Sequence, residues 1–269
     1  MLILLYALPT ILYCCVIFAV VRAGLPRSTL KPLLAAAVAA HAMTFIWPIA
    51  SGQPAQFGFA HAVSIMLCAG AGLLWLESLQ VDIDLMWLMV LPVAAIVAPL
   101  PYFFGGVSVS IQAMKPLFVP HLIVGMLAYS FLAFAALHAV LMIVAERQLQ
   151  QQSQSASAAW QSWTERLPPL LVMEKYLFRV LFAGFVLLTL TVLTGVVFSE
   201  EVFGKPWRLD HKTIFTVVSW LTFGTLLVGR RIWGWRGRLA ARFTLWGFLL
   251  VFMAYIGSRF VLEVILHRF

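Results

Sequence analysis

Residues 119–145 read VPHLIVGMLAYSFLAFAALHAVLMIVA, a run of 27 positions without Asp, Glu, Lys or Arg. A helix needs about 20 mainly apolar residues to cross the hydrocarbon core of a bilayer, so this run is long enough to span it. Similar runs recur along the chain and predict eight spanning helices, at residues 2–21, 32–50, 58–78, 85–103, 119–145, 175–198, 212–229 and 243–266. The chain is therefore predicted to be an all-α, polytopic membrane helix bundle.

The composition excludes a water-soluble protein. The 269 residues are 63% hydrophobic and only 10% charged, whereas a soluble domain is about 45 to 50% apolar and about a quarter charged. Eight spans leave room only for short loops, so we predict a single transmembrane domain over residues 1–269. A Gln/Ser-rich tract within residues 146–174 predicts a flexible cytoplasmic linker, because that composition cannot bury an apolar face.

The distribution of basic residues predicts the orientation. An even number of spans places both termini on one side, and with the termini on the outer, periplasmic side twelve of the 18 Lys and Arg residues fall in cytoplasmic segments and five in outer ones. This arrangement suits a bacterial inner membrane. The run at residues 229–242 combines five arginines with Trp233 and Trp235, which is typical of a membrane-surface anchor near anionic lipids and not of a nucleic-acid site.

One outer segment has a different pattern. Residues 104–116 include Val107, Ser108, Val109, Ser110 and Ile111, and this two-residue alternation predicts a ribbon or loop that rests on the helices.

The six histidines are the informative polar set, because an ionisable side chain in hydrocarbon is costly and marks a candidate functional site. Two of them, His41 and His138, lie deep in predicted spans, whereas four lie at the predicted outer face: His61, His121, His211 and His267. Neutral imidazole is a good axial ligand for haem iron, and the two deep histidines could share a second haem position. The alternative for each is an interfacial side chain, or a buried one satisfied by backbone carbonyls.

The last span and the loop before the seventh span carry further candidates. Arg259 and Glu263 are one turn apart in the last span, which suits an intrahelical ion pair or an Arg259 clamp on a haem propionate. The loop before the seventh span reads GKPWRLDHKTIFTVVSW over residues 204–220, and it places an indole and charged groups at the interface, where they could form a lip over a porphyrin: Trp207, Asp210, His211 and Lys212.

At this loop the chain resembles the haem-handling cytochrome c assembly membrane proteins, which are marked by a W-x-W-D-x-K-E-T-W segment. That segment is echoed by Trp207, Asp210, Lys212 and Thr213. The helix that begins near His121, with Gly and Tyr following, and the closing stretch AYIGSRFVLEVILH, which ends on His267, resemble the family's two outer histidine helices. The resemblance covers about residues 58–269. The loop has fewer tryptophans than the family's segment and lacks its Glu, so the chain resembles a short, divergent member.

The resemblance implies a role in cytochrome c biogenesis, as haem handling or haem transport. In that family the two outer histidines ligate haem during its delivery to cytochrome c, and His121 and His267 are the matching positions, with His61 as a nearby alternative ligand. The implied cofactor is non-covalent, b-type haem. The implied partners are membrane lipids, haem, and other cytochrome c assembly subunits or an apocytochrome, with no nucleic acid.

Two other functions stay open at this point. A small-solute or metal-ion permease would use the outer histidines to coordinate a divalent cation, and it predicts metal-dependent transport without Soret absorption. A non-transporting accessory protein predicts that alanine at all six histidines leaves function intact. Motifs such as G-x-S-x-G and H-E-x-x-H do not occur, so the sequence does not predict an enzyme.

Overall fold

The computed structural model describes residues 2–23, 26–80, 84–109, 118–151, 169–203 and 211–254. Over these residues the chain is helical apart from one short two-stranded ribbon. Seven helical segments of the described chain are long and apolar enough to cross a membrane. The prediction of an all-α, polytopic membrane bundle is therefore confirmed.

The described residues form two compact units, residues 2–109 and residues 118–254. The first unit contains four long helices and one short one: α1 (Leu2–Phe18, continued by a π-helical turn at Ala19–Ala23), α2 (Arg27–Ala50), α3 (Phe59–Ser78), α4 (Asp84–Val97) and α5 (Leu100–Phe103). Helix α1 packs against α2 and α4, and α3 packs against the same two helices. These contacts close the four long helices into a bundle.

The predicted span at residues 85–103 is interrupted. The chain makes a turn at residues 98–99, between α4 and α5. Pro99 and Pro101 flank the start of α5, and because proline has no backbone N–H to donate, it favours a break in the helix here.

A two-stranded ribbon joins two loops of the first unit. Strand β1 (Ala55–Phe57) pairs antiparallel with β2 (Val107–Val109), and Ala55 lies opposite Val109. The alternation at residues 107–111 predicted a ribbon or loop, and a strand is observed at residues 107–109, whereas its partner β1 was not predicted. Because both loops were assigned to the outer side, their pairing agrees with an antiparallel course of α3 and α4.

The second unit contains four helices: α6 (Phe118–Gln151), α7 (Leu170–Phe203), α8 (His211–Trp233) and α9 (Gly237–Phe252). Helix α9 packs against α6 and α8, and α7 packs against the same two helices. Helix α6 extends into the predicted linker as far as residue 151, because Glu, Arg and Gln are good helix formers beyond the apolar run. The eighth predicted span begins inside α9, and its part beyond residue 254 lies outside the described residues.

Ion pairs hold the predicted cytoplasmic ends of the second unit. Arg238 Nε lies 3.1 Å from Glu146 Oε1, which joins α9 to α6. Arg230 lies 3.7 Å from Glu174 and stacks over the Phe178 ring at 3.5 Å, which joins α8 to α7. Two of the five arginines in the predicted surface anchor therefore also contact carboxylates of neighbouring helices.

Close packing between α8 and α9 gives a first stability prediction. A Cβ on Gly247 would lie 2.7 Å from two ring atoms of the fully buried Phe223, whereas a Cβ on Gly224 would lie at an ordinary 3.5 Å from Phe185. We expect Gly247→Ala to lower the free energy of unfolding by about 1–3 kcal/mol through overpacking.

The matched substitution Gly224→Ala has room for its methyl group, and alanine in a helix is better than glycine by roughly 0.5–1 kcal/mol. We therefore expect it to leave the stability unchanged or slightly raised. Thermal unfolding of both variants in the same detergent measures the difference. Equal melting temperatures for the two variants would contradict the packing described above.

Candidate functional site

His121 lies in the first turn of α6, half buried against α7. Its Nδ1 is 2.8 Å from the Thr194 hydroxyl oxygen. That hydroxyl donates its only proton to a backbone carbonyl of its own helix, at 2.7 Å from Leu190 O and 3.2 Å from Thr191 O. Its oxygen therefore accepts the Nδ1–H of His121, and the neutral imidazole then carries its lone pair on Nε2.

A glycine beside Thr194 leaves room for the imidazole ring. A Cβ on Gly195 would lie 3.4 Å from His121 Cε1, so the ring rests directly against the backbone of α7. About one turn along α6, a Cβ on Gly125 would lie 3.4 Å from the Thr191 methyl group. This end of the helix pair is therefore close-packed along one side of the His121 side chain.

The other candidates of the second unit are only partly described. His211 is the first residue of α8 and is exposed, and Lys212, which follows it, is half buried. The remaining candidates from this part of the sequence lie outside the described residues: Trp207, Asp210, Arg259 and His267. The structure thus places one predicted axial ligand, His121, and two of the four lip residues.

His61 lines a cavity of about 350 Å³ in the first unit. The residue lies in the first turn of α3 and is 6% exposed. The residues described around the cavity carry no charged side chain, and its polar lining includes Tyr6, Thr44, Gln53 and Tyr102. Sequence reasoning identified His61 as an outer histidine but did not predict the cavity beside it.

His41 belongs to a buried hydrogen-bonded triad. Its Nδ1 is 3.1 Å from the Tyr13 hydroxyl, its Nε2 is 2.9 Å from the Ser64 hydroxyl, and all three residues are fully buried. The triad joins α1, α2 and α3. Both ring nitrogens of His41 are engaged, so ligation of iron by this residue would require it to give up one of these hydrogen bonds. Tyr13 and Ser64 were not predicted.

His138, the second deep histidine, lies on α6 in the second unit and is 2% exposed. Its Nδ1 is 3.0 Å from the backbone oxygen of Phe134. A carbonyl only accepts hydrogen bonds, so Nδ1 carries a proton. Nδ1 of His138 is therefore a donor, as it is in His121.

Comparison with known proteins identifies the family. A family model described as cytochrome c assembly protein matches residues 27–266. The chain belongs to the cytochrome c assembly protein family. The resemblance seen at the tryptophan-containing loop is confirmed, and the match extends over most of the chain.

Individual relatives match over shorter stretches. The inner membrane protein YpjD of Escherichia coli K12 is 31% identical over 145 residues, which cover 54% of this chain and 52% of that protein. The cytochrome c biogenesis protein CcsA is 30% identical in Heterosigma akashiwo over 109 residues and in Chlorella vulgaris over 107, in each case 40% of this chain and 34% of the relative. The chain thus spans about half the length of YpjD and a third of CcsA. No solved structure matches it.

Proposed function

We propose that this protein binds haem at its outer face and acts in cytochrome c biogenesis, with His121 as an iron ligand. The observation that carries the proposal is the Thr194 hydrogen bond, which leaves the lone pair of the neutral His121 imidazole on Nε2. Membership of the cytochrome c assembly family supports haem as the ligand.

The hydrogen bonding of His121 fits the chemistry of haem ligation. Imidazoles that ligate a metal usually donate their other ring N–H to a second residue, which fixes the tautomer and orients the ring. The His121 ring has this arrangement, with Nδ1 directed at Thr194 and the lone pair of the neutral ring on Nε2. When bound, haem would supply an iron that such a nitrogen can ligate. His267 is the second ligand that the resemblance implies.

The surrounding candidates have assigned roles in the proposal. The lip over the porphyrin comprises Trp207, Asp210, His211 and Lys212. Arg259 would bind a propionate, because its planar guanidinium suits a carboxylate, and His61 is an alternative ligand. The chain has no C-x-x-C-H attachment motif, which favours non-covalent, b-type haem. The second haem position, at the deep histidines His41 and His138, stays a prediction.

The names of the relatives support location and partners. YpjD is named an inner membrane protein, and CcsA is named a cytochrome c biogenesis protein. Together with the excess of basic residues in the predicted cytoplasmic segments, they favour a bacterial inner membrane with the haem site on the periplasmic side. The proposed partners are membrane lipids, other cytochrome c assembly subunits and an apocytochrome.

The test is an absorption spectrum of the protein purified in detergent after expression with added haem precursor. We expect a Soret band and, in alkaline pyridine, the haemochrome bands of b-type haem. His267→Ala should reduce the band, because the resemblance makes His267 the second ligand. A protein without a Soret band, even after incubation with haem, would contradict the proposal.

The same preparation tests the metal-ion permease. Among the described residues, no group of three or more His, Cys, Asp or Glu side chains is arranged to hold a metal ion. Metal-dependent uptake into proteoliposomes, without Soret absorption, would nevertheless favour the permease over haem binding.

A further inference from the structure

Thr194 and Gly195 are consecutive residues near the end of α7, and together they form the surface against which the His121 ring lies. We propose that this pair, here called the imidazole seat, positions His121 so that Nε2 is the atom that binds iron. The inference rests on the proposed function and assigns roles to two residues that do not themselves touch the haem iron.

The first step of the argument is the direction of the hydrogen bonds on α7. Thr189, Thr191 and Thr194 each donate their hydroxyl proton to the carbonyl four residues earlier, at 2.7–2.8 Å. A hydroxyl group that donates its proton in this way can only accept further hydrogen bonds, through its oxygen lone pairs. Thr189 uses this capacity to accept the indole N–H of Trp220 at 2.9 Å. Thr194 uses it for His121.

The second step concerns the proton on the ring. In a neutral imidazole one nitrogen is a donor and the other an acceptor, and the hydrogen bond made by one nitrogen determines the state of the other. An acceptor-only oxygen at Nδ1 therefore selects the Nδ1–H tautomer. Without it the proton can occupy either nitrogen, and each molecule with Nε2 protonated has lost the lone pair that would bind iron.

The third step concerns the space for the ring. At Gly195 a methyl group would just touch the ring, at 3.4 Å from Cε1. Alanine is therefore compatible with the observed ring position, whereas a leucine would need the volume that the ring occupies. The imidazole seat thus combines a hydrogen-bond acceptor, the Thr194 hydroxyl oxygen, with space for the ring beside Gly195. The two features can be tested separately.

The tautomer is tested on the protein without haem. Nitrogen NMR of protein labelled with 15N-histidine, in which the His121 signals are assigned by their loss in His121→Gln, distinguishes protonated from unprotonated ring nitrogens. We expect an Nδ1–H ring in the wild type and in Thr194→Ser, and a mixed or reversed population in Thr194→Val. Thr191→Val is the matched control, because it loses the same kind of bond to the helix backbone at a side chain that faces Gly125.

The consequence for haem is tested by titration and by electron paramagnetic resonance of the ferric form. Loss of such an orienting partner typically costs 10- to 100-fold in metal affinity. We expect Thr194→Val to weaken haem binding by about that factor and to alter the axial-ligand signal. Thr194→Ser and Gly195→Ala should bind like the wild type, and Gly195→Leu should lose most of the haem.

The results separate this inference from the proposed function. Suppose that the wild type binds haem through His121, but that Thr194→Val keeps the Nδ1–H tautomer and binds haem as tightly as Thr191→Val. The positioning role of the imidazole seat is then wrong, whereas the proposed haem site is still supported. If the wild type binds no haem, the proposed function is wrong, and the assignment of Nε2 as iron ligand is wrong with it.

Discussion

Replacing His121 with alanine is expected to abolish the Soret band, leaving less than about a tenth of the wild-type haem. The substitution removes the proposed iron ligand itself, so the effect should exceed the roughly 10- to 100-fold loss of affinity typical of removing an orienting partner. The substitution also removes a hydrogen bond to Thr194, but that hydroxyl keeps its bond to Leu190 O and remains satisfied. We therefore expect the variant to fold, and the spectrum of the purified protein measures the loss directly.

Two controls define the role of His121. His211→Ala removes the exposed imidazole at the start of α8 and should keep a Soret band, because its proposed position is the rim. In His121→Gly, imidazole added to the buffer can occupy the space of the lost ring, and we expect it to restore the band. A Soret band that survives in His121→Ala but disappears in His61→Ala would indicate that His61, and not His121, is the iron ligand.

The positions of the spanning helices could be predicted, because bilayer thickness fixes their length and apolar composition marks them. The helix ends could not. Helix α7 begins at residue 170 and ends at residue 203, although the apolar run suggested residues 175–198. Beyond residue 198 the helix continues through Ser199, Glu200 and Glu201, and Glu is a good helix former that carries no apolar signal. Residues 170–173 are apolar, but Glu174 and Lys175 separate them from the rest of the run. The break between α4 and α5 was missed for the opposite reason, since the apolar run continues through it.

The ribbon shows a second limit. Alternation over the five residues 107–111 was visible, whereas the three-residue Ala-Gln-Phe stretch of β1 is too short to have a pattern. Pairing between residues so distant in sequence depends on how the intervening helices pack. The sequence alone does not show how the helices between the two strands pack.

The candidate site was predicted to the level of its histidines, and no further. His121 was found because an imidazole in an apolar run is conspicuous, but its partners on α7 depend on the register between two helices. That register is set by contacts such as those of Gly125 with Thr191 and of Leu132 with Gly184. A Thr-Gly pair at the predicted outer end of the sixth span was the available signal, and it becomes informative once α6 and α7 are known to be antiparallel neighbours.

The deep histidine His41 shows how the structure adds to an open alternative. Sequence reasoning offered iron ligation or satisfaction by neighbouring backbone, and the structure instead places two hydroxyls on its ring nitrogens. Tyr13 and His41 lie near the middle of the first two predicted spans and Ser64 lies about a third of the way into the third, so the sequence does contain a polar residue in each of three consecutive spans.

His41→Leu is expected to destabilise the first unit by about 1–3 kcal/mol, chiefly by leaving the fully buried Tyr13 hydroxyl without its partner. Ser64 can turn its hydroxyl to a carbonyl of its own helix, so its loss should be small. Hydrogen bonds in membrane bundles average about 0.6 kcal/mol, which places the expected effect toward the lower end of this range.

A double-mutant cycle isolates that cause. Tyr13→Phe removes the orphaned hydroxyl, so adding it to His41→Leu should recover part of the lost stability, and thermal unfolding of the two single variants and the double variant gives the coupling. Haem content, measured on the same preparations, distinguishes structure from ligation. If His41 is structural, the haem per folded chain stays constant while the melting temperature falls. If the haem per chain falls while the melting temperature is unchanged, the substitution has removed haem from a second site. In that case His41 leaves the hydrogen-bonded triad when it binds iron.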